Sequence, residues 1–391
     1  MSLGEGRSSG AGLALLGAGH AHLVVLRELA ARPLDGTSTV LVSPEREALY
    51  SGMVPAVVAG RIPRSRATID LAGLAARAGV ERLEARGTEV DPDGRRVRTS
   101  LERDLAWDAC SIDVGSSPPA PAGLDDDLRV IPVRPFARLV ERVSEFASLA
   151  EFGAVEPTAA VVGAGAAGIE LAFAVRARLR GVVGARVLLL ERGPRVLPSG
   201  SPAARRLVTH ELARSGVEVT TGVGTIEFRA PALLASDRMV AAPSLVLLAT
   251  GSTGPGFLAR SPLARDDAGY LLVDRFLRST SHPLVHGAGD CASLVGRPSL
   301  PRSGVRAVRQ GAVLANNLRV AIGGLAAEMR EWRPPRAELA LVSTGDGRAI
   351  ALRGRLAASG RAWGWLKQRI DGAWVESFRD PAARAADGPV G

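Results

Sequence analysis

At 391 residues, 46% of them hydrophobic, the chain is long enough for two to three domains with sizeable cores, which excludes wholesale disorder. Its formal charge of +9 would by itself suggest nucleic acid, but the arginines are scattered, Lys367 is the only lysine and no block of like charges occurs, so nucleic-acid binding is set aside. The two cysteines, Cys110 and Cys291, form no CxxC or CxxxxC, which argues against a paired-thiol relay, and with the five histidines they show no metal-ligand spacing.

Residues 1–12 are polar and rich in Gly and Ser, without the apolar stretch of a signal peptide, and no run of about 18 apolar residues suggests a spanning helix. The expected location is cytoplasmic, and the basic charge is compatible with peripheral contact with an anionic membrane face. Residues 13–16 then read as a buried strand. Gly17-Ala18-Gly19-His20-Ala21-His22 follows and opens a mostly apolar helix over residues 23–29, and residues 39–42 form the next strand. After a Pro-rich joint at residues 116–121, which reads as a domain crossing, the pattern recurs. Strand 159–162 leads through Gly163-Ala164-Gly165-Ala166-Ala167-Gly168 into a helix with Ile169, Leu171 and Ala172, and strand 187–190 follows. Two βαβ units in one chain predict an α/β protein with two Rossmann-like dinucleotide-binding domains.

A second crossing is expected after Ala249-Thr250-Gly251, with strands at 269–273 and 284–287 beyond it. A helix fits residues 303–322, where Val305, Val308, Ala312 and Ala315 recur at three- and four-residue steps and Gly323-Gly324 is the stop. From Leu325 the character changes, with Trp332, Trp363, Trp365 and Trp374 in what reads as a small C-terminal α+β region. The resulting division is residues 1–120 and 252–324 for one nucleotide, 121–251 for the other, and 325–391 as a separate region facing an acceptor or a membrane.

A glycine-rich turn before a helix binds a diphosphate because glycines allow close backbone approach and the free N–H groups of the helix start point at the anion. One such turn is a weak signal, and two in strand–turn–helix context are a strong one. The second fingerprint is complete, with Gly163, Gly165 and Gly168 in place and Glu191 closing the next strand. An acid there can accept from adenosine ribose hydroxyls and would repel a 2′-phosphate, which favours NADH over NADPH, although adjacent Arg192 works the other way. The first fingerprint departs from the pattern. His22 replaces the third glycine, which implies looser helix–sheet packing, and strand 39–42 runs into Ser43-Pro44, with Glu45 beyond the proline.

On these residues the chain resembles the two-dinucleotide-fold flavoproteins related to type II NADH dehydrogenases, through Gly17/Gly19, Gly163–Gly168, Ala249-Thr250-Gly251 and Gly287-Ala288-Gly289-Asp290. More narrowly it is similar to the flavoprotein subfamily found alone or fused ahead of selenide, water dikinase. That likeness rests on Tyr50-Ser51-Gly52-Met53-Val54-Pro55, Ser111-Ile112-Asp113-Val114-Gly115-Ser116, Ala307-Val308-Arg309-Gln310, Ser343-Thr344-Gly345-Asp346 and Trp365-Leu366-Lys367.

The resemblance implies FAD at the first fingerprint, NAD(P)H at the second and hydride transfer between them, with a quinone as acceptor. It implies that Gly17, Gly19, Gly115, Gly251 and Gly289 shape the nucleotide sites, that Asp290 holds the FAD ribityl chain, and that Tyr50, Met53 and Pro55 border the isoalloxazine. Glu170 would sit near nicotinamide and flavin, the alternative being a solvated helix glutamate. The helix start near Ser303 would face the flavin pyrimidine edge, where its positive end stabilises charge. Whether Arg309 or Gln310 also touches the acceptor stays open, a surface position being the alternative for Arg309. His20 and His22 are expected to pack at the first helix start and donate to phosphate or backbone. Cys110 reads as a small buried hydrophobe and Cys291 as structural. The C-terminal tryptophans either build a platform over the flavin or, with Arg361, Lys367 and Arg369, anchor an interfacial segment. The rival to an enzyme is a flavin-binding partner or redox sensor beside a selenophosphate-forming enzyme, with little turnover.

Overall fold

The computed structural model describes residues 12–118, 128–235, 238–298, 300–323, 328–335 and 337–379. Two five-stranded, wholly parallel sheets dominate it. The first runs, in spatial order, Val285–Gly287, Ala109–Ile112, Gly12–Leu16, Ser38–Val42, Glu81–Leu83. The second runs Val130–Pro132, Leu245–Leu248, Thr158–Val162, Arg186–Glu191, Glu218–Thr221. A parallel sheet covered by helices must be apolar on both faces, which is why Thr158–Val162 and Leu245–Leu248 are buried at every position. Leu15, Leu16, Val161 and Leu247 are fully enclosed, and each side chain of this size contributes about 1.5–3 kcal/mol by leaving water.

The helix His20–Ala31 follows the strand Gly12–Leu16, and Ala166–Arg178 follows Thr158–Val162, as the two βαβ readings require. The helix expected over residues 303–322 is Gly304–Ala321, with the Ser303 hydroxyl as N-cap accepting from the Arg306 N–H. It lies directly against His20–Ala31. A Cβ at Gly311 would sit 2.5 Å from Val24 Cβ and 2.9 Å from the Ala21 carbonyl, so only glycine permits this approach. The positive φ of Gly323 ends the helix, and Gly324 lies outside the described residues.

The two expected crossings run side by side. Ser117 and Thr253 exchange backbone hydrogen bonds at 3.0 and 2.9 Å, while positions 119–121 of the Pro-rich joint lie outside the described residues. Two antiparallel meanders decorate the sheets at residues 87–106 and 226–241, and the short alternating strands that form them escaped the sequence reading. At the C-terminus, three antiparallel strands, Ala340–Ser343, Ala349–Arg353 and Leu356–Gly360, lead into the helix Arg361–Glu376, giving the small α+β region.

Candidate functional site

The second glycine turn is an open cradle. Gly163 has φ +103° and a Cβ there would meet the Ala249 carbonyl at 2.4 Å, so the 249–251 segment packs directly beneath it. A Cβ at Gly168 would fall 1.9 Å from the Gly163 carbonyl oxygen, which is the close helix–strand approach the third glycine serves. A Cβ at Gly165 would meet nothing within 4 Å, so the space in front of the helix Ala166–Arg178 is clear. Gly251, also at positive φ, borders open space as well. Glu191 closes the cradle from the next strand. Its Oε2 accepts from the Ala164 N–H at 2.8 Å and its Oε1 from the Gly193 N–H at 2.8 Å. The acid therefore already braces the turn itself, which the sequence did not reveal.

The first glycine turn is built differently. Gly17, at φ +86°, stacks against the Asp113 carbonyl. His22 fills the position of the missing glycine and is fully buried, with Nδ1 at 2.6 Å from the Gly17 carbonyl and Nε2 at 2.8 Å from Ser111 Oγ. Loose packing was the expectation from that substitution. Instead the imidazole plugs the gap and ties helix to sheet, and burial depresses its pKa to about 4, so it stays neutral. Beyond the second strand, the Ser43 hydroxyl donates to Glu45 Oε2 at 3.2 Å, which brings that acid to the strand end despite the intervening proline.

Around this turn the distant motifs converge. Asp290 ends the 287–290 segment, and its Oδ2 accepts from an Arg134 N–H at 2.5 Å. A Cβ on Gly115 would strike that same Arg134 at 2.4 Å, so Gly115 makes room for the guanidinium. Arg134 had no local signal in the sequence. The Gln310 side-chain oxygen accepts from the Gly289 N–H at 2.8 Å and so fixes this turn. Arg309, expected at the cofactor, is half exposed and faces Glu338 at 4.0 Å, while one helical turn earlier Arg306 is the buried arginine, donating to Glu338 at 2.9 Å. A small cavity of about 30 Å³ beside the turn is lined by Gly289, Asp290, Ser303, Arg306 and Gln310.

The start of the helix Gly304–Ala321 meets the 50–55 loop. A Cβ on Gly304 would lie 2.8 Å from Ser51 Oγ and 3.7 Å from His20 Nε2. His20 Nε2 is 3.3 Å from Ser51 Oγ, and the ring lies 5.4 Å from Tyr50 and 5.5 Å from Trp374 between centroids. Burial lowers its pKa to about 4, Asp290 opposing and Arg134 adding to the shift, so it too is neutral at ordinary pH. Met53 and Pro55 are buried, Met53 just before and Pro55 within the short helix Val54–Val58, and the Met53 N–H donates to the Tyr50 carbonyl at 3.0 Å.

A buried polar network joins this loop to the second cradle's helix. Lys367 Nζ donates to the Gly52 carbonyl at 2.9 Å and to Asp371 Oδ2 at 3.0 Å, and lies 3.7 Å from Glu170 Oε1. The Tyr50 hydroxyl donates to Asp371 Oδ1 at 3.1 Å, and Glu170 Oε1 accepts from the Ser343 N–H at 2.7 Å. Burial raises Glu170 above the usual carboxylate range, against the pull of Lys367 and the Ser343 N–H. Burial works to lower Lys367, but Glu170 and Asp371 outweigh it and the ammonium is held charged.

Glu170 is thus not a solvated helix glutamate, and Lys367 is not an interfacial cation. Trp374 packs 4.3 Å from Tyr50, Trp332 is buried apart from it, and Trp365 alone among the four is well exposed, with Arg369 5.8 Å over its ring. Cys110 and Cys291 are fully buried, and Cys291 Sγ donates to the Ala288 and Ile112 carbonyls. Burial pushes both thiols up, so neither offers a thiolate. No helix of the described residues is long and apolar enough to cross a membrane.

Comparison with known proteins agrees with this architecture. An NADH dehydrogenase-like protein of Mycobacterium tuberculosis is 30% identical over 238 residues, covering 59% of this chain and 59% of its own length. An NADH oxidase of Methanocaldococcus jannaschii is 30% identical over 170 residues, 41% of this chain and 36% of its own length. The chain thus spans about three-fifths of the first of these relatives and less of the second. Among solved structures, the fold matches NDH2 of Plasmodium falciparum with a TM-score of 0.78 at 12% identity, over 95% of this chain and 98% of that one. It matches the sulfide:quinone oxidoreductase of Aquifex aeolicus with a TM-score of 0.77 at 15% identity, over 94% and 91%. Residues 12–311 match the model of the pyridine nucleotide-disulphide oxidoreductases, and the chain belongs to that family.

Proposed function

We propose that the chain is an FAD-dependent NAD(P)H oxidoreductase that draws hydride from NADH and hands electrons to a small acceptor, a quinone, without a cysteine relay. The observation that carries this reading is the pair of glycine cradles, each opening a helix from a parallel sheet and joined by the Tyr50–Lys367–Glu170 network. The second cradle fits a dinucleotide diphosphate directly, since the space before Gly165 is clear. The first fits through Gly17, the Arg134–Asp290 pair and the start of the helix Gly304–Ala321, with the Asp113 carboxylate lying in front of Gly19. FAD bound there would supply the two-electron chemistry, accepting hydride and releasing electrons singly or in pairs.

The residues of the chain would then do the rest. Residues 1–120 and 252–324 would hold the flavin, and residues 121–251 the nicotinamide dinucleotide, with Glu191 favouring NADH. Asp290 would hold the ribityl hydroxyls, steadied by Arg134, and Gln310 would fix the Gly289 backbone behind it. Glu170, held beside Lys367, would keep or move a proton at its carboxylate. Residues 325–391 would form the platform at the acceptor side, with exposed Trp365 and Arg369 at its rim for a membrane face. Burial of both cysteines supports the lack of a thiol step.

Anaerobic mixing of the purified protein with NADH tests the reading. Rapid loss of the yellow flavin absorbance is expected, restored on adding a quinone. Protein that stays yellow with excess NADH and NADPH, or that takes up no FAD, would overturn it.

A further inference from the structure

The two cradles differ at one atom group. In front of Gly165 there is nothing within 4 Å of where a Cβ would be, whereas in front of Gly19 the same position lies 2.2 Å from Asp113 Oδ1. That carboxylate occupies the space the second glycine of the fingerprint normally leaves for a diphosphate. It also takes a diphosphate's hydrogen bonds. Asp113 Oδ2 accepts from the Ala21 N–H at 2.8 Å and the His22 N–H at 3.0 Å, in the first turn of the helix His20–Ala31. On its other side Oδ1 lies 2.3 Å from the Cβ position of Gly289, so the group fills the gap between the helix start and the 287–290 turn. Asp113 is 1% exposed and directly follows the fully buried strand Ala109–Ile112.

We propose that Asp113 is an internal stand-in for the dinucleotide diphosphate at the first cradle, and that FAD enters there only when this carboxylate takes up a proton. The proposal rests on the reading of that cradle as the FAD site. Two anionic groups cannot share one set of helix N–H donors in a buried pocket, because their repulsion is large where water is excluded. A protonated Asp113 ends the repulsion, gives up its charge-assisted hold on the Ala21 and His22 N–H groups so that the side chain can turn aside for the diphosphate, and gains a hydroxyl that can donate to a phosphate oxygen.

The groups facing Asp113 leave it as the residue that changes state near neutrality. His20 and His22 are neutral above about 4. Asp290 is paired with Arg134, and the Cys291 thiol is pushed up by burial. Burial raises Asp113 itself to about 7, the His22 and Ala21 N–H groups opposing, Asp290 adding and Arg134 subtracting. An incoming diphosphate raises it further, so binding draws in a proton and is strongest below that value. Above it, affinity falls by about tenfold per pH unit while one proton is taken up.

The experiment is calorimetric titration of FAD into flavin-stripped full-length protein from about pH 6 to about pH 8.5, in two buffers of different ionisation enthalpy. The wild type is expected to take up close to one proton per FAD at the alkaline end, with the dissociation constant climbing about tenfold per pH unit. Asp113→Asn keeps an oxygen for the helix N–H groups but carries no charge, and it should bind FAD with no proton uptake and a flat pH profile. A wild type with no proton uptake, or an Asp113→Asn protein with the wild-type slope, overturns the inference. The proton count on the wild type decides the matter even if the variant does not fold. Failure of both proteins to bind FAD at any pH sinks the functional reading instead.

Discussion

Replacing Lys367 by Met keeps most of the side-chain volume and removes one ammonium from between two carboxylates. The wild-type Nζ is largely enclosed and holds Asp371 at 3.0 Å, Glu170 at 3.7 Å and the Gly52 carbonyl at 2.9 Å. Breaking a buried pair by deleting one partner costs about 3–5 kcal/mol. Side-chain exposures of 15%, 18% and 10% for Lys367, Glu170 and Asp371 put the cost at the lower end, about 3 kcal/mol. With an unfolding entropy of about 2.1 cal/mol/K per residue over 391 residues, Tm should fall by about 4 °C. The sign of its pH dependence follows from the carboxylates left behind. Glu170 is raised by burial even with Lys367 present, and loss of the ammonium raises it further. An acid raised in the folded state stabilises fully below its unfolded pKa, about 4, and loses that contribution as pH climbs through the folded value. The gap between variant and wild type should therefore be widest at about pH 7.5 and shrink by roughly half at about pH 5.5, measured by scanning calorimetry. A gap below about 1 °C at the higher pH, or one that widens in acid, would refute the reasoning.

Two further substitutions probe the second cradle. Gly168→Ala forces a methyl to within 1.9 Å of the Gly163 carbonyl and must displace the helix start, at a cost of about 1–3 kcal/mol. KM for NADH should rise at least about tenfold while the flavin spectrum is unchanged; an unchanged KM would show that the turn does not bind the nucleotide. Glu191→Ala leaves the Ala164 and Gly193 N–H groups without their acceptor, a loss of about 1–3 kcal/mol, and removes a negative charge from the strand end. The ratio of kcat/KM for NADPH over NADH should increase, and a ratio that stays put would remove Glu191 from nucleotide selection.

The sequence exposed whatever is written in short-range periodicity. The strand–glycine–helix units, the helix fitted to residues 303–322 and its stop at Gly323 all depend on neighbours within a few residues, and each lies close to where the pattern put it. The site is assembled from contacts that no periodicity encodes. Arg134 meets Asp290, Tyr50 meets Asp371 and Lys367 meets Gly52 across long stretches of chain. Two of the missed residues did carry a faint signal. Lys367 is the only lysine of an arginine-rich chain and stands four positions before Asp371 on one helix, the spacing of an ion pair. Asp113 is a charge directly after a fully buried strand, where burial demands that some donor meet it. Arg309 and Arg306 show the converse limit. They lie three apart on the same helix, and only the approach of Glu338 and the 300–302 loop distinguishes the buried one.

The strand Val285–Gly287 pairs with Ala109–Ile112, whose four residues are all buried, yet the whole second sheet is synthesised between them. Until the ribosome reaches that point, the earlier strand is a naked apolar edge, open to pairing with other chains. The second sheet, contiguous from Val130 to Leu248, can close by itself in the meantime. The order of maturation is therefore inverted with respect to the order of translation. The half that emerges first is sealed last, and chaperone protection is needed most during that wait.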